Sequence, residues 1–308
     1  MSNSNLGLNR KVIKVLVDSL SDSDSKIYKD IMSITGEPSG EVDENDTLIN
    51  YLTDGTEVTT LTSNAVKKVA DNVFNGYNKL VTVNFPRATS IGIHSFQGCT
   101  SLNTVDFTNA KSLGNYAFKE CSNLRNVTIP NVKTIGASAF QGCYGLHDID
   151  LPECTEIGSS AFYRCDYIER INLPKVTVIP NSAFDTDTDN ERLLTEVNLP
   201  NVTSIGDRAF YSCSNLTSID LPNVTSIGTG AFYSCSNLST VIISTNQIIT
   251  LGKQVFESTP ISNKTGYIYV PDSLVNSYKS TSDWSTYASQ IKPISELPQE
   301  YKTLYNIT

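Results

Sequence analysis

The chain has 308 residues, 39% of them apolar and 18% charged, with a formal net charge of −9. That acidic balance argues against nucleic acid as a partner, because its backbone needs Lys and Arg to displace counterions, and equally against a polybasic membrane-surface role. No window approaches about 18 uninterrupted apolar residues, which excludes a transmembrane helix.

At the N-terminus the apolar run Val12 to Val17 is interrupted by Lys14 and followed by Asp18, Asp22 and Asp24. No small-residue cleavage site follows, so no secretory signal is expected in the chain as given. Residues 8–20 and 24–34 read as short helices, on Val12, Val15, Leu16 and Leu20 and then Ile27, Ile31 and Ile34. Gly36 and Pro38 end the second, residues 36–46 read as a polar linker, and Leu48 to Leu52 as one more helical turn. Residues 1–45 are therefore expected to form a helical attachment segment and linker. Asn64 to Phe74 reads as a half-repeat capped by Ser63 or Asn64.

From there phenylalanine acts as a ruler. Phe74, Phe96, Phe118, Phe140, Phe162, Phe184, Phe210, Phe232 and Phe256 are separated by 22, 22, 22, 22, 22, 26, 22 and 24 residues. Phe85 and Phe107 share a second position inside the array. The clearest unit runs from Leu216 to Asn237, LTSIDLPNVTSIGTGAFYSCSN. Ile219 and Leu221 alternate with Ser218 and Asp220, the period of a strand with one buried face. Pro222 closes the strand, since it cannot donate to a ladder. Val224 and Ile227 point inward after the turn, and Gly228 permits a bend there. Ala231 and Phe232 open a helical or irregular return, with Cys235 as a small buried filler. One such unit cannot bury its own face, so the units must stack. The expected fold is a repeat solenoid of about nine 22-residue coils, mainly β with short helical returns, over residues 46–271.

The repeated AFxxC and LPxVTxIG segments over roughly residues 64–271 resemble the BspA-type leucine-rich repeat, known from bacterial surface and gut-microbe proteins. The resemblance implies a binding or adhesion scaffold and names no ligand, because repeat families share architecture rather than function. Residues 272–308 look like the terminal cap found after such arrays. Trp284, Tyr287, Ala288 and Ile291 fall on one helical face that would cover the last coil.

Chemistry is scarce. Cys99, Cys121, Cys143, Cys165, Cys213 and Cys235 all follow an anchor phenylalanine by three residues, and Cys154 takes an inward Val position. A row of parallel side chains suits neither disulfides nor a converging zinc site, so buried thiols are expected. His94 and His147 sit at different places in the unit, and no GxSxG, P-loop or HExxH signature is present, so the chain is read as no enzyme. The longest interval holds Asp185, Asp187 and Asp189, with Glu196 at the twelfth position of a calcium-loop pattern. Asn190 replaces the glycine of that pattern and Arg192 its apolar residue, so no metal is assigned, with calcium kept as an alternative to an acidic bulge.

Outward strand positions should line the concave sheet, the usual binding surface of a solenoid. The ligand candidates are Asp106, Asp148, Asp150, Arg170, Asn172, Glu196 and Asp220, with Thr104, Asn126, Thr128, Asn198 and Ser218 on the same face. Tyr163, Tyr211 and Tyr233 follow anchor phenylalanines, either as a sugar-stacking stripe or as packing between coils. The reading is non-enzymatic recognition or display of a protein or surface glycan, without nucleic acid or membrane. The first context is a bacteriophage virion component (fibre, decoration or host adhesion), attached to other virion proteins through its N-terminal segment. A bacterial cell-surface adhesin and an intracellular, cytoplasmic scaffold are the alternatives, and homo-oligomerisation is left open.

Overall fold

Most coils hold two short strands where the alternation pattern marked only one. The computed structural model describes residues 40–42, 47–51, 58–186 and 193–307. In chain order the strands are β1 (Gly40–Val42), β2 (Thr47–Tyr51), β3 (Thr60–Thr62), β4 (Lys68–Val69), β5 (Thr82–Asn84), β6 (Ser90–Ile91) and β7 (Thr104–Asp106). There follow β8 (Ser112–Leu113), β9 (Asn126–Thr128), β10 (Thr134–Ile135), β11 (Glu156–Ile157), β12 (Arg170–Asn172), β13 (Val178–Ile179) and β14 (Glu196–Asn198). The last are β15 (Ser204–Ile205), β16 (Ser218–Asp220), β17 (Ser226–Ile227), β18 (Thr240–Ile242), β19 (Thr250–Leu251), β20 (Tyr267–Val270) and β21 (Ile291–Pro293). They stack into a parallel solenoid of about ten turns.

The longer strand of each coil forms a first sheet in three pieces, β3-β5-β7-β9, β12-β14 and β16-β18-β20-β21. A single bridge, Asp150 to Asn172, continues it at the coil where no strand forms. The two-residue strands form a second sheet in two pieces, β1-β2-β4-β6-β8-β10-β11 and β13-β15-β17-β19.

Between the sheets runs a continuous aromatic column. The nine anchor phenylalanines lie face to face in sequence, for example Phe96 on Phe118 and Phe118 on Phe140, each with centroids 5.3 Å apart. The 26-residue interval does not break it, since Phe184 and Phe210 also stack at 5.3 Å.

The returns are turns rather than the helices expected, and the backbone shows why. The second residue before the anchor takes a left-handed conformation in coil after coil: His94 (φ 54), Tyr116 (φ 59), Ser138 (φ 53), Ser160 (φ 57) and Arg208 (φ 54). The second residue after it repeats this at Glu120, Arg164, Ser212 and Ser234. An α-helix contains no such residue. The backbone N–H groups so aimed bond to the next coil, as His94 to Asn115 at 3.0 Å, Phe96 to Ala117 at 2.8 Å and Gly98 to Lys119 at 2.8 Å. Gly228 serves close approach rather than a bend: a Cβ there would lie 2.5 Å from the backbone nitrogen of Asp207.

The N-terminal side departs from expectation in two places. Leu48 to Leu52 is not a helical turn, because Thr47–Tyr51 is a strand, parallel to β4 and antiparallel to β1. The stretch read as linker contributes β1 itself. The expected helices over 8–20 and 24–34 lie outside the described residues. Before β4, Ser63 Oγ accepts the N–H of Ala65 at 3.0 Å, closing a side-chain turn that no helix follows.

At the other end Trp284, Tyr287 and Ile291 are all buried but do not share a helix. Tyr287 closes a 3-10 turn, and Ile291 opens β21, which extends the first sheet in parallel with β20. Between these strands lies helix α1 (Val275–Ser280). Trp284 donates its Nε1–H to the carbonyl of Ile249 at 2.9 Å, and Tyr278 its hydroxyl to that of Gln247 at 3.0 Å. Helix α2 (Gln299–Leu304) follows in the tail.

Candidate functional site

Outward side chains of the first sheet border a groove of about 1060 Å³. Asp148, Asp150, Arg170, Asn172, Glu196 and Asp220 line it, with Asn198 and Ser218 between them. The groove spans the stretch where the ladder is interrupted: no strand forms at Asp148–Asp150, and β14 and β16 are not joined in one sheet. Asp106 is outside this group. Its Oδ1 accepts the N–H of Thr108 at 2.9 Å and the hydroxyl of Thr108 at 2.6 Å, which closes the turn after β7.

Contacts along the floor are weak and leave most polar groups available. Asn198 donates its amide to the side-chain oxygen of Asn172 at 2.9 Å, across β12 and β14. Arg170 and Asp148 are 3.9 Å apart and both well exposed, so their pairing contributes little. Ser218 is buried and shares a hydrogen bond of 2.8 Å with the hydroxyl of Tyr305, which comes from the tail. Asp220 is partly buried, and its carboxyl is pushed up to about 6 by desolvation, against the pull of the Leu221 backbone N–H. Its Oδ1 is shielded from solvent and has no hydrogen-bond partner among the described residues.

The tail expected to cap the array also packs on the outward face of the first sheet, a contact the sequence reading did not include. Leu297 is buried against Ile242 and Tyr269 on the outward face, with Ile294, Tyr301, Tyr305 and Ile307 around it, in a cluster separate from the main core. One signal pointed to it: Ile242 stands beside Asp220, at a position that is polar in the preceding coils.

The calcium alternative gains nothing from the geometry. Asp185 is buried on the return, where its Oδ2 accepts from Arg208 Nε at 2.9 Å, while Glu196 borders the groove on β14. Asp187 and Asp189 lie outside the described residues. Among the described residues, no group of three or more His, Cys, Asp or Glu side chains could hold a metal ion.

The histidines are occupied by their neighbours. His94 stacks on Tyr116 at 4.6 Å, and His147 stacks on Tyr167 while its Nδ1 lies 2.7 Å from the Gly145 carbonyl. Tyr211 and Tyr233 stack on each other at 5.1 Å, with the Arg208 guanidinium 4.0 Å from the Tyr211 ring centroid, so they pack between coils. Tyr163 is cut off from that pair in sequence, because Asp185 follows the intervening anchor.

All seven cysteines are buried thiols. Those of the anchor row reach 3.0 to 3.4 Å from the carbonyl of a phenylalanine one coil earlier. Two other rungs went unread in the repeat. Asn131, Asn201 and Asn223 donate side-chain amides to the carbonyls of Thr108, Pro174 and Pro200 in the previous coil. Thr203 and Thr225 donate hydroxyls to Thr177 and Thr203. These bonds explain the Asn and Thr of the LPNVTSIG segment.

The BspA-type leucine-rich repeat region model matches residues 67–191 and 155–282, in six copies. The chain belongs to the BspA-type leucine-rich repeat family. Among solved structures, a leucine-rich repeat protein of T. pallidum is 27% identical, over 58% of this chain and 87% of that one, with a TM-score of 0.52. A leucine rich cell surface protein of Faecalibacterium prausnitzii is 30% identical over 68% of this chain, which spans 53% of that protein, with a TM-score of 0.49. A leucine-rich repeat protein of Bacteroides ovatus shares the fold at 20% identity and a TM-score of 0.57, over 85% of this chain and 76% of that one. No curated protein matches the chain. Among the described residues, no helix of this BspA-type array is long and apolar enough to cross a membrane.

Proposed function

We propose that this BspA-type array is a non-enzymatic recognition module displayed at a bacterial surface, and that it takes its partner in the groove of the first sheet. The observation that carries the reading is the groove itself. It is bordered by four carboxylates, Asp148, Asp150, Glu196 and Asp220, against the single guanidinium of Arg170. Such a surface offers hydrogen-bond acceptors to cationic protein loops or to sugar hydroxyls, and its charge steers a basic partner. Family members are typically binding proteins without catalysis. BspA-type proteins are generally bacterial surface proteins, which favours the surface setting. A bacteriophage virion component would use the same face, with residues 1–45 as its attachment segment.

The test is selection of peptides from a displayed random library against the full chain. Selected binders should lose at least about tenfold in affinity for Asp148→Ala with Asp150→Ala, and much less for Tyr211→Ala with Tyr233→Ala. Binders that depend on the tyrosine pair and ignore the aspartates would overturn the assignment.

A further inference from the structure

Along the first sheet, the second outward position is polar at Asp106, Asp150, Asn172, Asn198 and Asp220, then apolar at Ile242 and Tyr269. The tail covers the two apolar positions. Leu297 is held firmly, buried against both, but the hold thins beyond it. Helix α2 is six residues long with none buried, and Leu304 is 58% exposed. The tail then lies against the groove wall through the Tyr305–Ser218 hydrogen bond. Close by is Asp220, whose Oδ1 is shielded from solvent and has no hydrogen-bond partner among the described residues. Burying such an oxygen is unfavourable, and lifting the tail would return it to water.

We propose that residues Gln299–Ile307 form a displaceable strap that leans on the groove wall beside Asp220 and opens that end of the groove when it lifts, while Leu297 stays seated on Ile242 and Tyr269. That the groove is the recognition face rests on the proposed function; the movement of the strap does not. In its closed position the strap acts as a built-in occupant, with an aromatic ring and a hydroxyl placed where a partner would place them. Its release would open the Asp220 end of the groove, where Leu304, Tyr305 and Asn306 now form part of the wall.

The ionisable groups around Asp220 give the strap a pH dependence. Tyr305 of the tail is the group that couples to Asp220, and Tyr301 and Glu196 act on Tyr305 in turn; β18 contributes only Ile242 at the paired position, and Lys302 reaches the Ser295 carbonyl instead at 3.2 Å. With the strap closed the Asp220 carboxyl titrates at about 6, and with the strap open it returns toward the ordinary 3.8. The closed form therefore holds its proton longer. Acid favours closure, and a rise of pH from about 4 to above 6 shifts the balance toward opening by about tenfold to a hundredfold.

Hydrogen exchange of the full chain, corrected for intrinsic rates, tests this on peptides covering 298–307. Protection of the strap should be weaker at pH 7.5 than at pH 5, by up to about tenfold. Asp220→Asn should remove that difference and keep the strap protected at both values. Asn occupies the paired positions Asn172 and Asn198, so the variant suits the coil. Ser218→Ala should weaken protection at both. Strap protection equal to that of β16 and β18 at both pH values, or an unchanged pH difference in Asp220→Asn, would overturn the strap. Exchange is read without any partner, so its failure sinks the strap alone, whereas selected peptides indifferent to Asp148 and Asp150 would sink only the recognition reading.

Discussion

The thiol of Cys143 donates to the carbonyl oxygen of Phe118, 3.1 Å away and one coil earlier. Phe118 in turn stacks its ring on that of Phe140, three residues before the same cysteine. One residue pair thus ties the backbone of a coil to the aromatic column of the next. A small apolar filler would satisfy the packing but would leave the carbonyl without its donor.

The row has a pH signature. Burial holds Cys121, Cys143 and Cys165 well above the usual thiol range and Cys154 at about 11, whereas an unfolded chain releases these protons near 9. Above pH 9 the native state keeps protons that the unfolded state has lost, so stability falls as pH rises past that value. The slope is at most about 1.4 kcal/mol per pH unit for each thiol, and these thiols add no dependence below pH 8. Denaturant midpoints at pH 8 and pH 10 check this, and Cys143→Ala should lessen the difference. Alkylation at pH 8 should be slow natively and complete in denaturant; rapid native labelling of the anchor-row thiols would contradict the assignment.

The column itself should dominate stability. Phe140 is fully buried, with a ring stacked on each side, so Phe140→Ala should cost about 3 to 5 kcal/mol. A chemical melt unchanged by this substitution would remove the column from its central place.

Backbone conformation predicts a substitution in the other direction. Ser160 sits at φ 57, donating its N–H to the Asn181 carbonyl at 3.0 Å. Glycine takes that conformation without the Cβ contact, so Ser160→Gly should stabilise by about 0.5 to 1 kcal/mol, less its own unfolded-state entropy. Gly228→Ala should destabilise, because its Cβ meets the backbone of Asp207 at 2.5 Å. Paired melts of the two variants should shift in opposite directions.

What could be read in advance follows from how each feature is written in the chain. Phe96 to Phe162 recur at a fixed interval, and burial alone demands them, so core and solenoid were legible. The second sheet was not, because a strand of two residues such as Ser226–Ile227 is too short to alternate. The turn returns were hidden because Ser, Arg, His and Tyr, not Gly, hold most of the left-handed positions. At the groove, outward polar positions were visible by register, but Asp106 and Asp150 look alike in sequence. Only the turn bond to Thr108 and the broken ladder at Asp150 separate them. Accordingly Asp106→Ala should cost about 1 kcal/mol while sparing the binding of selected peptides.

The final prediction concerns where the array begins. β2 pairs in parallel with β4, and β1 pairs with β2 in the antiparallel sense, with Gly40 opposite Tyr51. This short hairpin covers the edge that β4 would otherwise present, and its reversed strand direction stops the parallel ladder from templating another chain. Residues 1–39 are the part of the proposed 1–45 attachment segment that precedes it. Removing them leaves the edge covered, so the truncated chain should keep its melting midpoint while losing assembly with any partner bound through that segment. Removing residues 1–57 also strips the hairpin and bares β4. That second truncation should melt lower and associate in a concentration-dependent way, read by light scattering or sedimentation. If it stays monomeric with an unchanged midpoint, the hairpin is not the solenoid's N-terminal cover. If the shorter truncation alone unfolds the array, residues 1–39 belong to the cap and the attachment role must be given up.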